Sequence, residues 1–437
     1  MALFIEPGGI GAKSFQPQEK RGFMQFQERL ARRAKNLAPS AIRELIKFMG
    51  VEGMISLGGG YPNPETFVFK KVDVEFKSGQ KIAIEGKDLD ISSQYGPSDA
   101  HVGLRREILA WHQKKDGITL GESQIVVLNG CQEGLFIMAY LFLDQEDSVI
   151  VCEPTYPGAI SAFRAFTRNF VSVPLDADGM NTDLLENVLR NIRKEGKPLP
   201  KFIYTIPNGH NPGGVSLSEA RRRHLVDIAN TFDVLVLEDD PYQLIKLEET
   251  PLRPTIQSLD TQGRVIRLDS FSKVFAPGLR IGYVSGPADL ARLFVLFKQS
   301  SNLHTSMLIQ EMLAKYLQAI GLENFRRHIQ KNCELYRTNR DAMIKAAKAF
   351  LPPQVQYNIP REGMFIWFVL PETCDSRRMI DRYCGALKVL LVPGDAFSTQ
   401  NGLRNCMRAS FSLVTAEQIQ EGIRRFGEMI RREMENS

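Results

Sequence analysis

Short apolar runs alternate with amphipathic helical patterns through the middle third of the chain. The runs are rich in β-branched residues and too short for buried helices: Val149–Val151, Phe202–Ile206, Val234–Leu237 and Val265–Leu268. A helical pattern over Leu184–Ile192 lies between two of them. This alternation predicts an α/β layer with a mostly parallel sheet flanked by helices. Ligands bind such sheets at the carboxyl ends of the strands, so the polar motifs that follow these runs form the candidate site.

The last hundred residues follow a different pattern. A long helix is predicted from about Leu322 to Ala349, with strands at Met364–Leu370 and Val389–Val392 after it. A final helix begins at the capping-box pattern Thr415–Gln418. These elements predict a second, smaller α+β domain.

Near the N-terminus, the sequence predicts helices over Phe26–Lys35 and Ala41–Phe48. We expect the arm and helices of residues 1–55 to join the small domain, which spans residues 321–437. Residues 56–320 are then the large domain.

Composition narrows the functional classes. The chain has 437 residues and a formal net charge of +5, and its basic residues are scattered, so we expect no nucleic-acid partner. Its six cysteines form no C-x-x-C pair, which predicts free thiols in a reducing cytoplasm. The dispersed histidines predict no metal site. No apolar stretch reaches about 18 residues, which predicts that the chain does not span a membrane.

Lys273 is the residue with the most informative neighbours. Ser270 and Ser272 precede it, and Arg280 follows it within the same motif. An amine among hydroxyls and a guanidinium is typical of a lysine that binds the aldehyde of pyridoxal phosphate (PLP) as a Schiff base. The serines and the arginine are suited to hold the phosphate of that cofactor.

A strand that ends in acids supplies the predicted partner of the cofactor's ring nitrogen. Asp239 follows the run Val234–Leu237, and Tyr242 comes shortly after it. A buried carboxylate keeps the pyridine nitrogen protonated, so that the ring withdraws electrons from the substrate's α-carbon. Tyr242 and Asn211 are candidate donors to the ring oxygen. Taken alone, the acidic turn also fits a solvated loop or a magnesium site, and Asn211 also fits an ordinary turn.

Three further motifs complete the candidate site. Gly130, Cys131 and Gln132 form a turn before an apolar helix, which presents backbone N–H groups and a favourable dipole to a phosphate. Tyr156 is a candidate to stack on the cofactor ring, and Arg408 is a candidate to bind a carboxylate through two hydrogen bonds. Singly, these motifs also fit a glycine turn, a packed tyrosine and a surface arginine.

In this order and with these spacings, the motifs resemble those of the fold-type I, class I/II aminotransferases. The resemblance is strongest to the kynurenine/2-aminoadipate aminotransferase group and extends from about Ile42 to the C-terminus. It implies a large PLP-binding domain and a smaller α+β domain. It also implies transfer of the amino group of an aromatic, 2-aminoadipate-like or similar amino acid to a 2-oxo acid, with 2-oxoglutarate as the expected acceptor.

The resemblance implies a role for each matching residue. Lys273 binds the cofactor covalently and then moves the proton, while Asp239 pairs with the pyridine nitrogen. Tyr242 and Asn211 bind the ring oxygen, and Asn211 also contacts the substrate. Tyr156 stacks on the ring. The remaining contacts are with the phosphate: Gly130, Cys131, Gln132, Ser270, Ser272 and Arg280.

The resemblance also implies how the substrate and a second subunit are bound. Arg408 binds the α-carboxylate, and Gly60 and Tyr61 line the substrate pocket. Arg43 stands where this group often places an arginine for a distal carboxylate or an aromatic ring. Tyr95 reaches the phosphate bound by the neighbouring subunit, so the resemblance implies a homodimer with shared active sites.

Three positions depart from the family's pattern. Gly213 stands where threonine is usual, and Cys131 stands where serine is common, which removes one hydroxyl donor to the phosphate. Tyr61 is aromatic where the group often has an aliphatic residue. Acidic, aromatic and branched aliphatic donors therefore all remain open.

Two other functions are alternatives to amino-group transfer. The same lysine and electron sink serve β-elimination or cyclopropane-forming synthesis on this fold. Some transcription regulators carry an aminotransferase-like domain after a DNA-binding module. About 40 residues precede the predicted catalytic fold here, too few for such a module and its linker.

Overall fold

The central sheet of this computed structural model, which describes residues 26–41, 53, 55, 57, 58 and 60–436, has eight strands. A hairpin of β1 (Lys71–Glu75) and β2 (Lys81–Glu85) precedes it. In chain order the strands of the central sheet are β3 (Ile125–Leu128), β4 (Ser148–Glu153), β5 (Asn169–Asp176), β6 (Gly179–Met180), β7 (Phe202–Thr205), β8 (Leu235–Asp239), β9 (Val265–Ser270) and β10 (Gly282–Ser285).

The spatial order of the strands is β3-β10-β9-β8-β7-β4-β5-β6. The neighbours from β5 through β4, β7 and β8 to β9 pair in parallel. Only β10, which is antiparallel to β9 and β3, and β6, which is antiparallel to β5, depart from this arrangement. The prediction of a mostly parallel sheet is confirmed, and all four predicted strands are present with bounds extended or shortened by one or two residues.

Helices cover both faces of the sheet. None of those described combines the length and the apolar character needed to cross a membrane. In chain order the α-helices are α1 (Gly86–Ser93), α2 (Val102–Asp116), α3 (Cys131–Phe142), α4 (Pro157–Arg164), α5 (Thr182–Lys194), α6 (Glu219–Phe232), α7 (Ile256–Leu259), α8 (Ala288–Ser300), α9 (Met307–Phe350), α10 (Ser376–Leu387) and α11 (Ala416–Glu435).

The side chains of β4 show why these strands are continuous apolar runs. Val149 and Val151 pack on one face of the sheet with α3, α4 and α8. Ile150 and Cys152 pack on the opposite face with α5 and α6. Successive side chains of a strand point to opposite faces, so a strand covered on both faces is apolar throughout.

The C-terminal part of the chain forms a second, antiparallel sheet. Its strands are β11 (Gln356–Tyr357), β12 (Phe365–Val369), β13 (Val392–Pro393) and β14 (Cys406–Ser410), in the spatial order β11-β12-β14-β13. The end of α9, α10 and α11 contribute to the hydrophobic core on this sheet.

The helices of this C-terminal part largely follow the sequence prediction. The Thr415 hydroxyl accepts from the Gln418 N–H, and the Gln418 side chain accepts from the Thr415 N–H, which is the predicted capping box. The backbone leaves the helical conformation at Gly321 (φ 72°), so α9 consists of two helical parts. The second part begins at Leu322, as predicted. The division into domains at residues 320/321 stays a prediction.

The predicted strand Val389–Val392 is wrong for most of its length, because only Val392 lies in a strand. Helix α10 continues to Leu387, and Lys388 ends it in a left-handed conformation (φ 50°). The backbone reaches β14 only at Val392, which pairs with Arg408.

The predicted single helix Phe26–Lys35 is also wrong. Two short 3₁₀ helices, Phe26–Arg29 and Ala34–Asn36, replace it. The Ala31 N–H donates to the Leu141 carbonyl of α3 instead of to a helical neighbour. The side chains of Phe26, Leu30 and Ala34 pack in the hydrophobic core of the central sheet and its helices. Tertiary contacts therefore override the local helical pattern. These contacts also place Phe26, Leu30 and Ala34 in the core of the central sheet and its helices, whereas we expected residues 1–55 to join the small domain. The predicted helix Ala41–Phe48 lies almost wholly outside the described residues.

A backbone contact between two glycines joins the two sheets near the ends of their strands. A Cβ atom added to Gly363 would lie 2.7 Å from the Gly209 carbonyl oxygen. Both residues have positive φ, 50° for Gly209 and 80° for Gly363. The contact holds the loop that contains Asn211 against the start of β12.

Replacing Gly363 by alanine is expected to lower the free energy of unfolding by about 2–3 kcal/mol, because the added methyl group meets backbone and the positive φ is strained. Gly385→Ala in α10 is the matched control, since nothing lies within 4 Å of the added carbon there. Urea denaturation of both variants measures the difference. Equal losses of stability in the two variants would contradict the close contact.

Candidate active site

A cavity of about 420 Å³ lies where the carboxyl ends of the parallel strands face the C-terminal sheet. Most of the residues predicted from the sequence line it: Cys131, Gln132, Tyr156, Asn211, Asp239, Tyr242, Ser270, Ser272, Lys273, Arg280 and Arg408. Each of the first ten follows or ends a strand of the large sheet or, for Arg280, comes just before antiparallel β10. Arg408 comes from β14 and closes the cavity from the other side.

Lys273 lies in the turn after β9 and is partly buried. Burial lowers the pKa of its ammonium group, and the nearby positive charges of Arg280 and Arg408 lower the pKa further. A lowered pKa increases the fraction of neutral amine, which is the form that attacks a carbonyl carbon.

Asp239 ends β8 and is almost completely buried. Its Oδ2 accepts a hydrogen bond of 2.8 Å from the Tyr204 hydroxyl, while its buried Oδ1 has no hydrogen-bond partner among the described residues. Burial raises the pKa of the Asp239 carboxyl to about 7, and the neighbouring Asp240 and Asp269 also raise it. An unpaired buried acceptor of this kind requires a donor, and a protonated ring nitrogen is such a donor.

The turn before α3 forms a cradle for an anion. Gly130 has a φ of 79°, and a Cβ atom there would lie 2.5 Å from Arg280 Nη2, so glycine allows the guanidinium to approach the turn. Helix α3 begins at Cys131, which places backbone N–H groups and the positive end of the helix dipole at the cradle. Ser270 and Ser272 complete it from the turn after β9.

The departure from serine at Cys131 has a visible consequence. The Cys131 thiol donates to the Asp269 carbonyl oxygen over 3.3 Å. Burial raises the pKa of this thiol well above its usual value, as do the charges of Asp239 and Asp269. The side chain is therefore a neutral thiol that packs against β9, and the anion cradle depends on backbone groups at this position.

Arg408 is held between two aromatic rings. The carbon of its guanidinium lies 4.5 Å from the ring centre of Phe365 and 5.1 Å from that of Phe397. Its Nη1 donates to Asn211 Oδ1 over 2.8 Å. Its buried Nε has no partner among the described residues, so the fork retains donor capacity for a carboxylate.

Among the described residues, four predicted ones are not part of this lining: Gly60, Tyr61, Tyr95 and Gly130, the last of which forms the cradle beside it. Tyr95 is 53% exposed and contacts Tyr61 edge-on, with 6.4 Å between ring centres. Gly60 precedes Tyr61 in the same exposed segment. Arg43 lies outside the described residues.

Several residues that shape the cavity were not predicted from the sequence. Phe365 lies in a correctly predicted strand, but nothing in the sequence signals its contact with Arg408. Ser410 and Ser412 line the cavity beside Arg408 and could have been taken from the same motif. Behind the lining, Tyr204 and the fully buried Arg267 contact the acids at the end of β8.

A larger cavity, of about 770 Å³, lies elsewhere in the molecule. Its lining includes Trp111 and Lys115 from α2, Lys246 and Glu248, and Arg337 from α9, and it contains none of the predicted site residues. Its size alone therefore does not make it the reactive centre.

Comparison with known families assigns the chain. The family model for aminotransferase class I and II matches residues 73–426, which contain the whole cavity lining. The chain belongs to the class I and II aminotransferases. Its activity is accordingly the transfer of amino groups, and its cofactor is pyridoxal phosphate.

Individual aminotransferases are similar over nearly the whole chain. Aromatic-amino-acid aminotransferase 1 of Thermococcus litoralis is 36% identical, over 94% of this chain and 96% of that protein. The mitochondrial kynurenine/alpha-aminoadipate aminotransferase of Rattus norvegicus is 35% identical, over 90% and 96% of the two chains. The crystal structure of Pyrococcus horikoshii kynurenine aminotransferase, in complex with PMP, matches with a TM-score of 0.76 and 34% identity over 92% and 97%. Fold type I is thereby confirmed.

The groups around the cavity fit pyridoxal phosphate. The orphaned Oδ1 of Asp239 suits a protonated pyridine nitrogen, the cradle at Gly130 suits a phosphate, and Lys273 supplies an amine between them. When bound, the cofactor supplies an electron sink for the carbanion at the substrate's α-carbon.

Lys273→Ala is expected to lower turnover by about a thousandfold or more, because it removes the amine that binds the cofactor and moves the proton. Borohydride reduction followed by peptide mass spectrometry should find the reduced cofactor on the Lys273 peptide of the unmodified protein and on no peptide of the variant. The exposed Lys345, replaced by alanine, is the matched control. Near-normal turnover in Lys273→Ala would exclude this lysine as the reactive amine.

Proposed function

We propose that this aminotransferase moves the amino group of an aromatic or 2-aminoadipate-like amino acid to 2-oxoglutarate. The observation that carries the proposal is the convergence of Lys273, Asp239 and Arg408 on one cavity. The donor class is supported by the names of the relatives, which include an aromatic-amino-acid and a kynurenine/alpha-aminoadipate aminotransferase.

The cofactor is held at four places in this proposal: the ring nitrogen, the phosphate, the ring oxygen and the face of the ring. Asp239 accepts from the protonated ring nitrogen, and the phosphate lies in the cradle of Gly130, Cys131, Gln132, Ser270, Ser272 and Arg280. Tyr242 and Asn211 donate to the ring oxygen, and Tyr156 stacks on the ring. In support, burial raises the pKa of the Tyr242 hydroxyl, which keeps it a protonated donor.

Lys273 and Arg408 act on the amino acid. Arg408 binds the α-carboxylate, and its position between Phe365 and Phe397 fixes the plane of the guanidinium and therefore the orientation of the substrate. With the cofactor bound, Lys273 would take the proton from the α-carbon as a neutral amine and return it to the former aldehyde carbon of the cofactor, which lies on the other side of the transferred nitrogen. Its lowered pKa favours the neutral form that accepts the proton.

We also propose that two copies of the chain assemble with shared active sites. In this arrangement Tyr95 reaches the phosphate bound by the neighbouring subunit, and Gly60, Tyr61 and Arg43 border its substrate. In support, Tyr95 is half exposed and lies outside the cavity of its own chain. The six free cysteines support a reducing cytoplasm as the location.

A panel of amino donors with 2-oxoglutarate tests the proposed substrates. We expect kcat/KM for aromatic amino acids or 2-aminoadipate to exceed that for alanine or valine by at least about tenfold, because a larger or charged side chain gains additional contacts. Glutamate formation is the readout. A preference for small aliphatic donors contradicts the proposed donor class, and no glutamate with any donor contradicts 2-oxoglutarate as the acceptor.

Arg408→Ala is expected to raise KM and lower kcat for every amino acid in that panel, with a combined loss of about 100-fold or more in kcat/KM. The reason is that the α-carboxylate is common to all donors. Arg432→Ala on the exposed side of α11 is the control for loss of an arginine. An effect limited to one donor would place the α-carboxylate elsewhere.

A further inference from the structure

Tyr204 is a buried tyrosine that contacts Asp239, the carboxylate that lines the active-site cavity. It lies in the middle of β7, next to β8, and its side chain is fully buried. Its hydroxyl donates to Asp239 Oδ2 over 2.8 Å, and its ring packs edge-on against Phe163, with 5.4 Å between ring centres. Tyr204 itself does not line the cavity.

The hydrogen bond makes the two oxygens of Asp239 unequal. Oδ2 is occupied by Tyr204, and Oδ1 is buried and unpaired among the described residues. A carboxylate with one oxygen fixed by a rigid, packed donor cannot rotate freely about its terminal bond. The free oxygen is thus held in one direction before any cofactor binds.

The surroundings of Asp239 otherwise oppose its negative charge. Burial raises the pKa of its carboxyl, and the negative charges of Asp240, which follows β8, and of Asp269 on β9 raise it further. The positive charge of Arg267 lowers the pKa of Asp239, but its guanidinium contacts Glu238, Asp240 and Asp269. Three further titratable groups that interact with Asp239 have raised pKa values and are uncharged: Cys131, Tyr156 and Tyr242. The cations Lys273, Arg280 and Arg408 line the same cavity.

Tyr204 is the one side-chain donor to Asp239 in the part of the chain that the structure describes. Hydrogen bonds to a charged acceptor are stronger than those to a neutral one, so this donor favours the ionised carboxylate.

We propose that Tyr204 is a positioning residue for amino-group transfer, which fixes Asp239 in the ionised state and directs its free oxygen at the ring nitrogen of the cofactor. This inference rests on the role of Asp239 in the proposed function. It assigns a task to a residue that touches neither cofactor nor substrate.

The variant Tyr204→Phe tests it, since it removes the hydroxyl and keeps the ring that packs against Phe163. The cofactor-free variant is titrated with PLP and with 1-deazapyridoxal phosphate, in which a C–H group replaces the ring nitrogen. We expect the dissociation constant for PLP to rise about tenfold or more and that for the deaza analogue to change less than about twofold. Only the first ligand has the nitrogen that Asp239 binds.

The pH profile gives a second readout. Without the donor, the pKa of Asp239 rises further above its value of about 7, so the carboxyl stays protonated to higher pH. A protonated carboxyl cannot pair with a protonated ring nitrogen. The acidic limb of kcat/KM should therefore move to higher pH by about one unit, with kcat lowered and the KM of the donor little changed because Arg408 is untouched.

Two control variants separate the possible failures. Tyr316→Phe removes a hydroxyl from another buried tyrosine, one that packs against Phe76 and Phe275 away from the cavity, and should leave both affinities unchanged. Asp239→Asn should lose the preference for PLP over the analogue. If Asp239→Asn keeps that preference, the role of Asp239 in the proposed function fails.

If Asp239→Asn loses the preference and Tyr204→Phe retains it, only the role of Tyr204 fails. Equal weakening of both ligands in Tyr204→Phe, or an unmoved acidic limb, assigns Tyr204 a merely structural part and overturns the inference.

Discussion

The ion cluster around Arg267 is the interaction on which the site depends most. This guanidinium is fully buried and contacts Glu238 at 2.8 Å, Asp240 at 3.0 Å and Asp269 at 2.8 Å. Burial alone would lower the pKa of Arg267, but the three acids outweigh it and raise that pKa well above its usual value. Removing one partner from such a buried cluster typically costs about 3–5 kcal/mol, because the remaining charges lose their compensation.

The cluster explains how three consecutive acids can lie inside the protein where β8 ends: Glu238 and Asp239 are its last residues, and Asp240 follows. Side chains alternate along a strand, so Glu238 and Asp240 face Arg267 while Asp239 faces the cavity. Asp240 also accepts from Asn208 Nδ2 over 2.7 Å, and Asn208 lies in the loop after β7 that carries Asn211. Arg267 therefore neutralises the acids on one side of this segment and so supports Asp239, which faces the cavity on the other side.

The sequence predicts best what depends on local pattern. The apolar runs locate β4 and β7–β9, and the motifs after them converge because parallel strands end at one edge of the sheet. Contacts between distant segments carry no such signal, so the rings around Arg408 and the hydroxyl of Tyr204 were not predicted. A charged residue inside an apolar run, as at Arg267, is a usable signal for a buried ion cluster. The segment Phe26–Lys35 was predicted wrongly because its apolar spacing fits a helix, whereas contacts with α3 decide its backbone.

A single half-reaction tests the central account most directly. The protein with bound PLP is mixed with an aromatic amino acid and no 2-oxo acid, and the visible absorption of the cofactor is followed by stopped flow. The account predicts a shift of that band together with one equivalent of the matching 2-oxo acid per active site, with the amine retained by the cofactor. An unmoved band, or continuous release of ammonia from a β-substituted amino acid in place of a single equivalent of 2-oxo acid, would contradict it.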